Sequence, residues 1–288
     1  MCSRKFAWLS SSTGDAETLR ELDREMASFY ADWHERAPYQ SMLEDTGSAA
    51  DDSSVRVLLP RYVRELSPAT VLEVGCADGR QYRLLLEAGF TGAFTGVDVT
   101  VAVIERNREA LPGARWETAS AYALPFADEA FGLCYSLFVL EHLVYPERGL
   151  RELLRVVEPG GRLVLVFPDF VAKRQLNSQA VGFSPIARAK EKLRRGRLFD
   201  AAVSLYDTRV RLPRALREMP AKVGRFPVNA EPICLSHRDI MRPDIDAVYI
   251  ASKDEVASWA QGNGHAVEYP HGTQGPFADT AFLSIVKR

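Results

Sequence analysis

Apolar residues return at steps of three and four through Leu19, Leu22, Met26, Phe29, Tyr30 and Trp33, which predicts an amphipathic helix near the start of the chain. Asp15 precedes it as a candidate cap, Glu17 suits its first turn, and Pro38 closes it. A polar stretch, Asp45 to Ser54, leads to a second apolar segment from Val55 to Leu66. Pro60 inside that segment predicts a kinked helix or a helix followed by a turn. From Ala69 the period changes. Short apolar or β-branched runs at Thr70–Val74, Ala93–Val99, Ala114–Thr118, Phe131–Phe138 and Arg162–Phe167 predict strands. Helical patterns fall among them at Gln81–Glu87, at Val101–Ala110 and from Pro146 onward, the last expected to end at Pro159, Gly160 and Gly161.

Strands that alternate with amphipathic helices indicate an α/β fold, a parallel sheet covered on both faces. The alternation lapses from Pro168 to about Tyr249 and then resumes. Ser252 and Glu255 have capping-box spacing ahead of Val256 and Trp259, Gly262 and Gly264 end that helix, and strands are expected at His265–Tyr269 and Thr280–Val286. The lapse, roughly 80 residues, is too long for a structureless loop and reads as an insertion. The expected organisation is an N-terminal helical extension over 1–68, a core over 69–170, an inserted helical segment over 171–250, and a helix with strands over 251–288 that complete the sheet.

Composition narrows the class without naming a function. With 47% hydrophobic and 26% charged residues, the chain of 288 is globular and not disordered. A net charge of -2 gives no whole-chain cation for nucleic acid or membrane, and no apolar run approaches the ~18 residues needed to span a bilayer. Met1 to Ser10 lacks the apolar core of a secretory signal. Cys2, Cys76, Cys134 and Cys234 show no C-x-x-C pairing, so neither a disulfide framework nor a metal site is expected. These features together predict a reduced, cytoplasmic setting.

Candidate chemistry begins at Val71-Leu72-Glu73-Val74-Gly75-Cys76-Ala77-Asp78-Gly79-Arg80, which reads as strand, tight turn and helix start. Ligands of such sheets bind at the carboxyl ends of the strands, where glycine lets backbone approach them. Nineteen positions after Gly79 a second strand ends in Asp98, whose carboxylate can accept from ribose hydroxyls. A dinucleotide fingerprint would place glycine where Ala77 and Arg80 stand, and no P-loop lysine follows. The turn therefore suits a nucleoside without a pyrophosphate.

Further motifs follow in order: Gly96-Val97-Asp98, Leu124-Pro125-Phe126-Ala127-Asp128-Glu129-Ala130-Phe131, Phe138-Val139-Leu140-Glu141-His142-Leu143, and the run from Leu150 to Gly161. With Glu73-Val74-Gly75-Cys76-Ala77-Asp78-Gly79, they make the chain resemble the class I S-adenosylmethionine-dependent methyltransferases, in particular the type 11 methyltransferase domain. The resemblance is dense from about Thr70 to Asp169, looser after Ser252, and does not extend to the insertion. It implies a Rossmann-like, seven-stranded, mostly parallel sheet and S-adenosylmethionine as cofactor. It further implies that Glu73, Gly75, Cys76, Ala77 and Gly79 border the methionine part, that Asp98 holds the ribose, and that Val99 packs on adenine. Ser120 and Ala121 would face the adenine edge, Ser136 and Leu137 the methionine end, while Tyr30, Trp33 and Tyr39 lie where such families close a helix over the cofactor. Three positions depart from the family pattern: Ala77 replaces its middle glycine, Ser120 stands where many members have aspartate, and Gly132 replaces an aspartate after phenylalanine.

Methyl transfer needs mainly alignment, with a base only where the acceptor is protonated. Candidate catalytic residues are His142 after the fourth strand, Asp169 after the fifth and His237 near the end of the insertion. Phe138 stands where related metal-dependent members carry an acid three positions before the Glu-His pair, so no metal is expected. His34, His265 and His271 are read as structural. Between Arg188 and Arg225 twelve Lys or Arg face four Asp or Glu, a local excess of +8 interrupted by Leu193, Leu198, Val203, Leu205, Leu212 and Leu216. A solvated helical face and a lid that attracts an anionic acceptor both account for that pattern. The expected activity is methylation of a small metabolite, with oxygen or nitrogen favoured over carbon as the acceptor atom, by a monomer or homodimer without nucleic-acid or membrane partners. A protein or RNA methyltransferase docking through the insertion, and a non-catalytic cofactor-binding protein, are the alternatives.

Overall fold

A computed structural model describes residues 6–33, 55–179, 189–238 and 243–288. Tyr39, His34, Pro38, Phe183, Arg188, Cys2 and the polar stretch from Asp45 to Ser54 lie outside the described residues. The chain divides into two compact units. One comprises Tyr30–Leu140, Glu147–Pro168 and Lys253–Arg288; the other comprises Met1–Phe29, Glu141–Pro146 and Asp169–Ser252.

The first unit is built on a seven-stranded sheet of β1 (Thr70–Val74), β2 (Ala93–Asp98), β3 (Arg115–Thr118), β4 (Phe131–Leu137), β5 (Val157–Pro168), β6 (Ala266–Glu268) and β7 (Thr280–Val286). Its order is β3-β2-β1-β4-β5-β7-β6, parallel throughout except for β7, which runs antiparallel to both β5 and β6. The order reverses between β1 and β4, the kind of switch point at which open sheets bind ligands. Leu163 to Phe167 of β5 and Leu72 of β1 are essentially sealed from water, the near-continuous burial of strands covered on both faces. The expected seven-stranded, mostly parallel α/β fold is what the chain adopts.

The helix Val55–Leu66 sends Leu59, Tyr62 and Val63 into a cluster with Val71, Leu133, Tyr135, Val164 and Phe282. Pro60 does not divide it: the helix is continuous across the proline. Pro159, Gly160 and Gly161 do not separate helix from strand either. The helix Pro146–Arg155 stops ahead of them, and they lie inside β5. There the pairing jumps from Phe131↔Val157 to Leu133↔Arg162, so the extra residues form an irregularity in a paired strand. A side chain on Gly161 would come within 2.7 Å of the Gly132 carbonyl oxygen, which explains why two small residues meet at this bulge.

The second unit holds the helix residues up to Phe29, with Asp15 accepting from the Thr18 N–H at 2.8 Å as the sequence predicts. It also holds most of the insertion, in which helices Ala189–Arg194, Leu198–Tyr206 and Leu212–Val223 are the main elements. Trp8–Ser10 pairs antiparallel with Pro227–Asn229, a two-stranded ribbon absent from the sequence expectations. The extension and insertion are thus not purely helical.

Candidate functional site

Strand β1 delivers the chain into a bend that glycine alone permits. Gly75 has φ +83°, and a Cβ there would overlap Val139 Cγ2, so the missing side chain is also the space that Val139 fills. The N–H groups of Gly75 and Cys76 both reach the Val97 carbonyl, at 2.8 and 3.0 Å, which clamps the bend to β2. Ala77 follows with φ +43°, a left-handed conformation held by an alanine at the position of the family's middle glycine. Asn107 donates to the Ala77 carbonyl at 2.7 Å and fixes that peptide from behind. Gly79, at φ +71°, opens the helix Arg80–Glu87.

Asp98 ends β2 and turns toward the same bend. Its two carboxylate oxygens accept from the Ala77 N–H at 3.1 Å and the Thr100 N–H at 3.0 Å, and the residue is buried. Val99, next along, is exposed, while Ser120 and Ala121 are half-buried. The Ser120 hydroxyl accepts from the Tyr122 N–H at 3.2 Å, which closes a tight turn after β3. Leu137 ends β4 among the core residues. Buried Ser136 donates its hydroxyl proton to the Val74 carbonyl at 3.0 Å, so that proton is committed to the sheet. Tyr30 is half-buried near the end of the helix Ala16–Trp33, of which Trp33 is the last residue.

Two titratable groups lie sealed at the head of β1. Glu73 is the register partner of Tyr135 across the β1–β4 pair. Burial drives its carboxyl well above the usual carboxylate range, the adjoining Tyr135 hydroxyl opposing this and Asp78 and Asp98 adding to it. The geometry stops short of a hydrogen bond: neither Glu73 Oε2 nor the Tyr135 hydroxyl finds a partner among the described residues. Burial likewise pushes the Cys76 thiol far up, which makes it a packed apolar group and not a nucleophile. Arg56, which the sequence reading did not single out, brings a cation to this place from the helix Val55–Leu66. Burial and the neighbouring Arg80 lower its pKa against Asp78 and Glu73, and its guanidinium lies 5.8 Å from the centre of the Phe138 ring. No linear motif could have marked it, because its neighbours come from the β1 turn and from the end of β4.

The histidine candidates belong to the second unit. His142 closes a single 3-10 turn, Leu140–His142, and its Nδ1 lies 3.5 Å from Asp246 Oδ2. Burial pulls the imidazole pKa down, but the carboxylates of Asp246, Glu141 and Asp244 outweigh it and leave it raised. Glu141 beside it is fully buried, and burial pushes its carboxyl up to about 8. Asp169 caps the short helix Phe170–Lys173, its Oδ1 accepting from the Ala172 N–H at 2.9 Å. His237 is half-buried after Ile233–Ser236, its Nδ1 2.9 Å from the Ser236 hydroxyl. Among the described residues no group of three or more His, Cys, Asp or Glu could hold a metal ion. His271 stacks on Phe277 and meets Tyr62 and Phe282 edge-on, the packed turn residue expected of it.

Comparison with known proteins bears on residues 72–165, which match a methyltransferase domain family. A demethylmenaquinone methyltransferase of Clavibacter sepedonicus is 31% identical over 121 residues, covering 41% of this chain and 49% of that protein. A trans-aconitate 2-methyltransferase of Methylobacterium nodulans is 28% identical over 179 residues, covering 62% of this chain and 66% of its own. The chain thus spans about half the length of the first of these curated relatives. Among solved structures, an S-adenosylmethionine-dependent methyltransferase from Mesorhizobium loti aligns over 82% of this chain and 99% of its own, at 16% identity and a TM-score of 0.49. The matched residues run from β1 into β5, through the glycine bend and Asp98, and that stretch of the chain is similar to the methyltransferase domain of S-adenosylmethionine-dependent enzymes.

Proposed function

We propose that this chain transfers the methyl group of S-adenosylmethionine to an oxygen or nitrogen of a small metabolite. One observation carries the reading: a carboxylate at the end of β2 lies against a glycine bend at the end of β1 and is hydrogen-bonded to its Ala77 N–H. Each Asp98 oxygen has a second lone pair, so both can still accept from the hydroxyls of a ribose. The orphaned Glu73 Oε2 and the nearby Arg56 cation suit the two charged ends of an amino acid, the oxygen meeting an ammonium and the guanidinium a carboxylate. Gly75, Cys76, Ala77 and Gly79 would offer backbone at close range, with Val99, Ser120 and Ala121 around the base and Ser136 and Leu137 at the methionine end. Tyr30 and Trp33, at the end of the helix Ala16–Trp33, are the proposed residues closing over the cofactor. When bound, S-adenosylmethionine supplies a methyl group on a positively charged sulfur, already activated for transfer.

His142 is the proposed general base, oriented by Asp246. Its raised pKa means that it accepts a proton only once the pH exceeds that raised value. Asp169 and His237 are weaker candidates, because Asp169 spends one oxygen on a helix cap and His237 one ring nitrogen on a neighbouring hydroxyl. The small-acceptor reading is supported by the relatives' names, which point to demethylmenaquinone and trans-aconitate.

Incubation with a methyl-labelled donor and fractionated metabolite extract tests the activity, and the labelled product identifies acceptor and atom. Titration with S-adenosylhomocysteine tests the cofactor site separately. Asp98→Ala removes two charge-assisted hydrogen bonds to a ribose and is expected to weaken binding about a hundredfold. Unchanged affinity in that variant refutes the assignment of Asp98.

A further inference from the structure

Leu198–Tyr206, Asp207–Arg211 and Leu212–Val223 follow one another as an unbroken helical run, with a π turn in the middle. The first part of this run is inside out. Ala201, Ser204 and Asp207, three residues apart, form its buried side. Buried Lys192 donates to the Ser204 hydroxyl, and Arg211 pairs with Asp207 at 2.7 Å. Leu198, Ala202, Leu205 and Tyr206, at steps of four, three and one, form the exposed side, and Val210 continues it one turn on. Leu198 is 68% exposed, Tyr206 58% and Val210 50%. An ordinary surface helix has the reverse arrangement, with its apolar stripe turned to the core.

Cations accompany this row. Lys190, Arg194, Arg195, Arg209 and Arg217 are exposed and enter no ion pair among the described residues, whereas Arg197, Arg214 and Lys222 are matched to Asp200 and Glu218. Arg209 lies four residues after Leu205, on the same side of the helix. Arg209 and Arg217 belong to the same helical run as the exposed apolar residues, and Lys190, Arg194 and Arg195 to the segment just before it, so apolar surface and unpaired cations occur together, as in an element that lies in a membrane interface.

We propose that the Leu198–Arg211 run is a docking surface for an anionic phospholipid bilayer. Leu198, Leu205, Tyr206 and Val210 enter the acyl boundary, and the arginines and Lys190 remain level with the phosphates. Such binding is peripheral and compatible with the finding that no described helix is long and apolar enough to cross a membrane.

The full chain, mixed with phosphatidylcholine vesicles or with vesicles that also contain phosphatidylglycerol, is sedimented with the lipid. Co-sedimentation is expected with the anionic vesicles only and falls as salt is added. Leu198→Asp with Leu205→Asp removes apolar contact and lowers the partition at least about tenfold. Arg195→Gln with Arg209→Gln lowers it by a similar factor at low salt. S-adenosylhomocysteine affinity and circular dichroism remain as in the wild type, since these side chains face solvent. Failure of the wild type to bind anionic vesicles overturns the proposal, as does retention unaffected by the leucine pair. A wild-type dimer that the leucine pair dissociates, with no lipid binding, overturns it in favour of a second copy of the chain. An acidic protein partner retained by the row in the absence of vesicle binding overturns it equally.

Discussion

A methyl group added at Gly75 tests the bend from which the functional reading starts. Gly75→Ala perturbs two separable things. An L-residue held at φ +83° carries a conformational cost of about 1–2 kcal/mol. The new Cβ also overlaps Val139 Cγ2, and forcing extra volume into a filled space costs about 1–3 kcal/mol. Together these amount to about 2–5 kcal/mol, which lowers the melting temperature by about 5–15 °C in a chain of this size. The parts are distinguishable, because Val139→Ala clears the overlap and leaves the backbone strained. In a double-mutant cycle the pair is expected to couple favourably by about 1–3 kcal/mol, with the remaining loss belonging to φ alone. Thermal melts of the four proteins give the cycle, and S-adenosylhomocysteine titration shows whether the recovered fold recovers the site. If Gly75→Ala melts within about 0.5 kcal/mol of the wild type, or if the two substitutions are additive, the bend is not constrained in the way argued.

Ala77→Gly is the opposite change. It removes a left-handed alanine worth about 1–2 kcal/mol but makes the unfolded chain freer by about 0.4–1 kcal/mol, so a net gain of about 0.5–1 kcal/mol is expected in denaturant unfolding. Arg56→Ala should weaken S-adenosylhomocysteine about tenfold, with Arg56→Lys recovering part of the loss; affinity unmoved by either removes Arg56 from the carboxylate site. Glu141 titrates near 4.5 when unfolded and about 8 when buried, so between those values the folded state holds a proton that the unfolded state has released. Its contribution is therefore complete below 4.5 and is lost as the pH rises toward about 8. Glu141→Gln, which fixes the neutral form, should flatten that decline in melts taken across the range, and parallel curves for the two proteins would count against it. The acidic limb of a turnover–pH profile reports His142 if it sits above the ordinary imidazole value and disappears in His142→Ala while S-adenosylhomocysteine binding persists.

The sheet was legible because its order is written in local signals. Strands covered on both faces are apolar runs, and each is followed by a turn whose residues stand next to it in the chain; Glu73 to Gly79 and Gly96 to Asp98 are the clearest cases. What was not legible depends on partners far away in sequence. Trp8–Ser10 is a strand only because Pro227–Asn229 lies beside it, and three residues are too few to show alternation. Pro159-Gly160-Gly161 carries the letters of a helix stop, yet the Gly132 carbonyl opposite allows the three to sit within a bulged strand. Pro60 predicts a kinked helix or a helix followed by a turn, and the helix Val55–Leu66 is continuous through it. Arg56 meets Phe138 and the β1 turn only once the helix Val55–Leu66 packs on the sheet.

The same distinction separates the two kinds of charge in this chain. A net value of -2 sums the whole molecule, although exposed charges farther apart than about a Debye length are largely screened from one another. A surface acts over about one such length, and what it offers a partner is the exposed, unpaired cations of the basic stretch, Lys190, Arg194, Arg195, Arg209 and Arg217 among the described residues, not the sequence total of +8. Sequence alone could count that excess but could not say which way the leucines face. In an ordinary amphipathic helix they would turn inward and leave a solvated basic face, with nothing further to explain. Here Ser204, Asp207 and Lys192 are buried while Leu198, Leu205 and Tyr206 stay in water. Charge and apolar surface therefore occur together on the exposed side, and the bland account of the basic stretch no longer covers it.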